Sequence, residues 1–198
     1  MANMNTFAGF QNLPAVTVTY GSTQTGYVIP ATGTYPSLPS PTQVAANWLC
    51  IPALAGDSAG GALDYGRPFR VRVNGEVSTA QTENLTVQIY QATAAKFAAG
   101  ITATSNGTSI ATTGATAVGT GGAKQNFLLD CVCMWDAQSK SLNGWYYSMI
   151  GNNTFGTITK ITTVASLAES DLNFFVTFTF GTGTSDILGP LDFTIDRY

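Results

Sequence analysis

Histidine does not occur in this chain. Its absence removes the usual general base at neutral pH and the commonest metal ligand. Ser-His-acid and Cys-His catalytic layouts are excluded outright. Charge is scarce too: 10% of residues are Asp, Glu, Lys or Arg, against roughly 25% in an average soluble domain. The formal net charge is -3, and no basic run occurs, so the clustered cations that neutralise nucleic-acid phosphates are missing. The nearest basic patch is Arg67, Arg70 and Arg72, which reads first as the solvated face of a strand and only second as an anion site. No apolar run approaches the ~20 residues of a membrane span. Residues 1–8 carry neither the charged nor the apolar region of a secretory signal. Neither a nucleic acid nor a membrane is expected as a partner.

Cysteine is limited to Cys50, Cys131 and Cys133. The last two stand at i and i+2, on one face of a strand and awkwardly placed for a mutual disulfide, and no pair has zinc-like spacing. They read as small buried hydrophobes, with a bridge from Cys50 to one of the others left open. The Gly-rich loop Ala55–Gly66 contains Asp57, Gly60, Gly61 and Asp64 but matches neither a phosphate loop nor an EF-hand. It reads as a crossover between sheets. Asn84, Asn106 and Asn152 begin glycosylation sequons, which matter only in a secretory pathway that nothing in the sequence suggests. No cofactor and no metal are expected.

What the chain does contain is period-two alternation. Hydrophobic residues make up 44% of it, enough for a core, while Thr, Ser, Gly, Asn and Gln replace charge on the surface. Phe69, Val71, Val73 and Val77 alternate with Arg70, Arg72, Asn74 and Glu76. Beyond the polar break at 80–83, Leu85, Val87 and Ile89 alternate with Thr86, Gln88 and Tyr90. Successive side chains of a strand point to opposite faces, so each strand has one greasy side that a second layer must cover. Gln125 to Asp136 is a third long strand, with Phe127, Leu129, Cys131, Cys133 and Trp135 on one face. A turn within Ala137–Gly144, ending in Asn143-Gly144, leads back through Trp145 to Ile150. Thr157 to Thr163 is a β-branched strand. Leu172 to Phe180 places Phe174, Val176, Phe178 and Phe180 together. Leu191 to Ile195 ends the series, its start limited by Pro190. Asn47 to Pro52 is a further strand, and Gln91 to Ala99 fits a short helical turn. Short strands at Ile110–Thr113 and Ala115–Val118 are split by Gly114.

Residues 1–45 differ from the rest. Pro14, Pro30, Pro36, Pro39 and Pro41 forbid a helix or a central strand there. Aromatic residues make the stretch unlike a solvated tail. The segment reads as an extended arm that contacts a partner, with Phe7, Phe10, Tyr20, Tyr27 and Tyr35 as contact candidates, or that straps its own domain. About eight strands separated by turn signals predict an all-β fold for residues 46–198: a two-sheet antiparallel, jelly-roll-like sandwich with an extended Pro-rich N-terminal arm.

No enzyme is expected. A glycosidase needs paired carboxylates. The nearest pairs are Glu169 with Asp171, and Asp130 with Asp136, the latter about 20 Å apart along an extended strand.

In order and texture, the strands Phe69–Val77 into Leu85–Tyr90, Phe127–Trp135 with its hairpin to Trp145, and Leu172–Phe180 into Leu191–Ile195 resemble the jelly-roll structural proteins of tailed-phage virions. Capsid decoration (cement) and head-fibre proteins are the nearest likeness, over roughly residues 45–198. The resemblance implies a virion protein on the capsid surface, made in the host cytoplasm, with the major capsid protein and copies of itself, as a homotrimer, for partners. It implies no catalytic residues. The alternative is a tail-fibre or baseplate module that recognises host glycans, for which Trp145, Tyr146 and Tyr147 are the aromatic candidates.

Overall fold

A computed structural model describes residues 7–13, 16–18, 50–51, 68–78, 83–99, 104–118, 124–136, 138–151, 156–168, 171–180 and 186–197. In chain order the strands are β1 Phe7–Leu13, β2 Val16–Val18, β3 Cys50–Ile51, β4 Pro68–Ser78, β5 Glu83–Ala92, β6 Gly107–Thr112, β7 Thr116–Val118, β8 Gln125–Asp136, β9 Ser141–Ile150, β10 Thr159–Lys160, β11 Asn173–Phe180 and β12 Asp186–Arg197. One short helix, α1 (Ala94–Ala98), follows β5. Thr93 caps it by accepting from the Lys96 N–H at 3.4 Å, and Asp171 Oδ1 accepts from the Ala94 N–H at 2.8 Å, satisfying donors that the first turn leaves open.

The strands form two antiparallel sheets. One has seven strands in the order β1-β12-β4-β8-β9-β10, with β2 also paired to β12; the other has five in the order β3-β11-β5-β6, with β7 also paired to β5. The pairings are nested. The first strand pairs with the last (β1 with β12), β3 with β11, β4 with β8, and β5 with β6. This is the winding of an eight-stranded jelly roll, extended by β9 and β10 on the edge beyond β8.

The core lies between the sheets, where the alternation placed it. Phe69, Val71, Val73 and Val77 of β4 and Phe127, Leu129, Cys131 and Cys133 of β8 face Phe174, Val176 and Phe178 of β11 and Leu85, Val87 and Ile89 of β5, all essentially inaccessible to solvent. Rings meet across the gap. Phe69 and Phe174 have centroids 5.9 Å apart, and Phe127 meets Phe178 edge-on at 5.7 Å. Each fully buried side chain of this size contributes about 1.5–3 kcal/mol of transfer free energy, and tilted ring contacts add to that.

Four local expectations need correcting. The last strand does not wait for Pro190: β12 starts at Asp186 and passes through the proline at a register shift between Leu188 and Leu191. Gly189 and Pro190 there stand opposite the single residue Glu76, a bulge that tolerates the missing N–H of proline. Asn143-Gly144 is not in the hairpin turn. The turn falls before Ser141, where Lys140 takes the positive φ (51°). Asp136 orders it, its carboxylate accepting from the Gln138 N–H at 2.9 Å and from the Ser139 hydroxyl at 2.6 Å. Gly144 is instead a strand residue with φ of 149°, pressed so tightly onto the Val132 carbonyl that a Cβ has no room. The β-branched stretch Thr157–Thr163 pairs only at Thr159–Lys160. Beyond it the chain runs beside β9 as a strap, with a bridge between Leu142 and Val164. Ile161 and Leu167 are buried beneath it. Finally, the bridge from Cys50 to one of the other cysteines, left open by the sequence, is closed off: Cys131 and Cys133 are both buried free thiols, as the preferred reading had them.

Within the stretch read as an arm, β1 and β2 are strands of the seven-stranded sheet, registered along β12 from Phe7 opposite Asp196 to Val16 opposite Leu188. The remaining residues of 1–45 lie outside the described set, as does the loop with Asp57 and Asp64.

Candidate functional site

The outward face of the seven-stranded sheet concentrates the polar chemistry. Register fixes its rows. Arg70 stands opposite Val132, which stands opposite Trp145; Arg72 opposite Asp130, then Tyr147; Asn74 opposite Leu128, then Met149. On the other side of β4, Thr194 faces Arg72 and Asp192 faces Asn74.

The centre of this face is an ion cluster. Asp130 is fully buried although it points away from the core, because Arg70 and Tyr147 close over it. Arg70 Nε donates to Asp130 Oδ1 at 2.7 Å and Oδ2 at 2.9 Å, and Nη2 donates to the same Oδ2. Tyr147 donates its hydroxyl proton to Oδ2 at 2.7 Å and accepts from Arg70 Nη2 at 3.0 Å. A buried carboxylate is tolerable only with such compensation. Burial, and then the hydrogen bond and charge of Asp130, push the Tyr147 phenol above its ordinary range. Burial also raises the two thiols behind this face, Cys131 and Cys133; Cys133 and then the charge of Asp130 add to it for Cys131, and Asp130 adds to it for Cys133.

Beside the cluster lies an open groove of about 520 Å3, within the roughly 300–1,000 Å3 usual for small-molecule sites. Arg72, Asn74 and Glu76 of β4, Asn126 of β8, Met149 of β9 and Asp192 of β12 line it. The register shift in β12 between Leu188 and Leu191 lies opposite Glu76, at one end of the groove, where such a bulge distorts the regular pleat. Arg72 Nε is buried and has no hydrogen-bond partner among the described residues. At the rim, Lys124 Nζ meets Glu76 Oε2 at 2.9 Å.

The candidates read from the sequence separate here. Phe7 and Phe10 lie on β1, at the sheet's edge, while Tyr20, Tyr27 and Tyr35 fall outside the described residues. Of the aromatic trio, Trp145 is 44% exposed on the outer face and Tyr147 shares that face, but Tyr146 points inward and packs against the core. Arg70 belongs to an ion pair rather than to a free basic patch, and Arg67 is outside the described residues. Asp130 is locked by Arg70, and Asp136 orders its turn. Asp171 holds backbone N–H groups, accepting from Ala94 and Ala168; Glu169 is outside the described residues. Among the described residues, no group of three or more His, Cys, Asp or Glu converges as a metal site would. No helix there is long and apolar enough to cross a membrane. The Arg72–Asn74–Asn126–Asp192 groove was not anticipated from the sequence, because it depends on a bulge and on register between strands.

The architecture is therefore an all-β, two-sheet antiparallel sandwich with a polar, concave outer face on its larger sheet. No family model matches the chain, and comparison with curated proteins and with solved structures finds no similar one.

Proposed function

We propose that this chain is a structural virion protein, of the capsid decoration or cement kind, that binds the outer surface of a phage capsid as a homotrimer and stabilises the shell. The observation that carries this reading is the nested pairing of the strands, first with last and inward from there, which is the winding used by many viral capsid domains. Weak charge suits a tile that packs against neighbours over a wide contact. In this reading the protein is made in the host cytoplasm, seats on the major capsid protein and acts by binding, without catalysis. Stabilisation is then linkage: a protein that binds the assembled shell and not its dissociated subunits shifts the equilibrium by about 2.7 kcal/mol per site at a hundredfold excess over Kd.

The test is co-sedimentation of the full chain with undecorated capsids, followed by heating of the decorated particles. Saturable binding and a raised disruption temperature are expected. Protein left in the supernatant, with the disruption temperature unchanged, overturns the reading.

A second reading, glycan recognition on a tail fibre or baseplate, draws on the exposed Trp145 beside Tyr147. Such amphipathic rings are suited to stack on sugar faces.

A further inference from the structure

We infer that the groove between β12, β4, β8 and β9 is a binding site for a neutral, hydroxyl-rich ligand, a short uncharged oligosaccharide. The inference takes its ligand class from the second reading above and holds wherever on a particle the protein sits.

Three features of the groove lead there. The first is the orphaned donor. Arg72 lines the groove, and its Nε is buried without a partner among the described residues. A buried donor left without an acceptor is costly, so a ligand acceptor that the Arg72 side chain can turn towards is favoured here. The second is the mixture of lining groups. Arg72 donates, Asp192 and Glu76 carry acceptors, and Asn74 and Asn126 bring both. A sugar hydroxyl is donor and acceptor together, and matches this alternation better than a phosphate or a cation does. The third is charge. One guanidinium faces two carboxylates, and Lys124 neutralises one of those at the rim. The groove as a whole is close to neutral, so neither an acidic nor a basic ligand gains from it. Met149 and Leu128 give an apolar patch for the C–H side of a pyranose ring. The neighbouring Asp130 cluster is internally satisfied and fixes β8 and β9 beside β4, holding these groups in place before any ligand arrives.

The experiment titrates the full chain with neutral hexaoses of glucose, galactose, mannose and N-acetylglucosamine, read by saturation-transfer NMR and calorimetry. A sulfated heparin hexasaccharide serves as the charged comparison. At least one neutral sugar is expected to bind. Asn126→Ala, at an exposed position, is expected to weaken that binding at least tenfold, and Arg72→Gln by more. Trp145→Ala, outside the groove, is expected to change it less than threefold. Binding lost in Trp145→Ala but kept in Asn126→Ala overturns the groove and leaves the aromatic reading standing. Binding of the sulfated sugar alone, or of no sugar in the panel, overturns the inference. Capsid co-sedimentation is scored separately, so failure there leaves this result unaffected.

Discussion

The two sheets follow the same alternation and put opposite things outside. On the five-stranded sheet the outward side chains of β5 and β11 include Thr86, Gln88, Tyr90, Phe175, Thr177 and Thr179, none of them charged. Phe175 is nonetheless fully buried: Tyr90 stacks on it at 4.9 Å and 6°, and Gly107 lies so close that a Cβ there would come within 2.5 Å of the Phe175 ring. On the seven-stranded sheet, β4 alone sets out Arg70, Arg72 and Glu76 in its strand, and the neighbouring strands answer with Asp130, Tyr147 and Asp192. One outer face is sealed around Phe175 by aromatic packing, with Thr86, Gln88 and Thr179 half-buried about it, and the other is organised by ions around a concavity. The first is built for stiffness, while the second is free to meet something.

That contrast predicts a ranking of mutational costs. Phe175→Ala should be the most damaging outer-face change, at about 4 kcal/mol by chemical denaturation, because a sealed face behaves as core. A cost below about 1 kcal/mol would mean that the five-stranded sheet is not sealed, and the contrast would collapse. Asp130→Ala should follow at about 3 kcal/mol, the lower end for breaking a buried pair, since the Arg70 side chain keeps 30% of its exposure. Lys124→Ala breaks an ion pair whose lysine is 70% exposed and should cost less than about 0.5 kcal/mol. Equal losses for the two variants would refute the distinction between a locked ion cluster and a rim pair.

The subtlest difference is in pH. Burial raises both the Tyr90 and the Tyr147 phenols in the folded state, and for Tyr147 the carboxylate of Asp130 adds to it. A folded value above the unfolded one means that the native state holds its proton longer. Stability from these groups is therefore complete below about pH 10 and drains away as pH rises from there through the folded values. Tyr147→Phe and Tyr90→Phe should each flatten the alkaline fall in unfolding free energy, measured from pH 9 to 11. An unaltered slope in Tyr147→Phe would show that neither burial nor Asp130 raises this phenol.

The fold was legible wherever one face of a strand had to be greasy. The limits of β8 match the stretch Gln125–Asp136, and β6 and β7 part around Gly114, whose φ is 66°. Legibility failed where a rule about one residue met a tertiary exception. Pro190 lies within a paired strand because a bulge removes the need for its N–H, and Asn143-Gly144 sits in a strand because the glycine is required for close approach to Val132 rather than for turning. The ion cluster had a visible signal: Asp130 is an acid in the middle of an otherwise apolar strand, and such a residue must find a partner. Which partner was not visible, since Arg70 and Tyr147 lie 60 residues before and 17 residues after it. The groove left no trace in the sequence. Its shape comes from register between strands, and its residues are ordinary for any wet face.

The closing of the first strand upon the last has a consequence in time. β1 and β12 are far apart in sequence, Phe7 pairing with Asp196, so the β1 edge of the larger sheet cannot form until β12 has been made. The innermost partners, β5 and β6, lie close in sequence, β5 ending at Ala92 and β6 starting at Gly107, and they are free to meet first. Loop closure then favours an order that works outward, with β4 finding β8 before β1 meets β12. The nascent chain should therefore leave the ribosome with its centre formed and its margins waiting. For that interval the exposed edge of β4 is the surface most in need of protection from other copies.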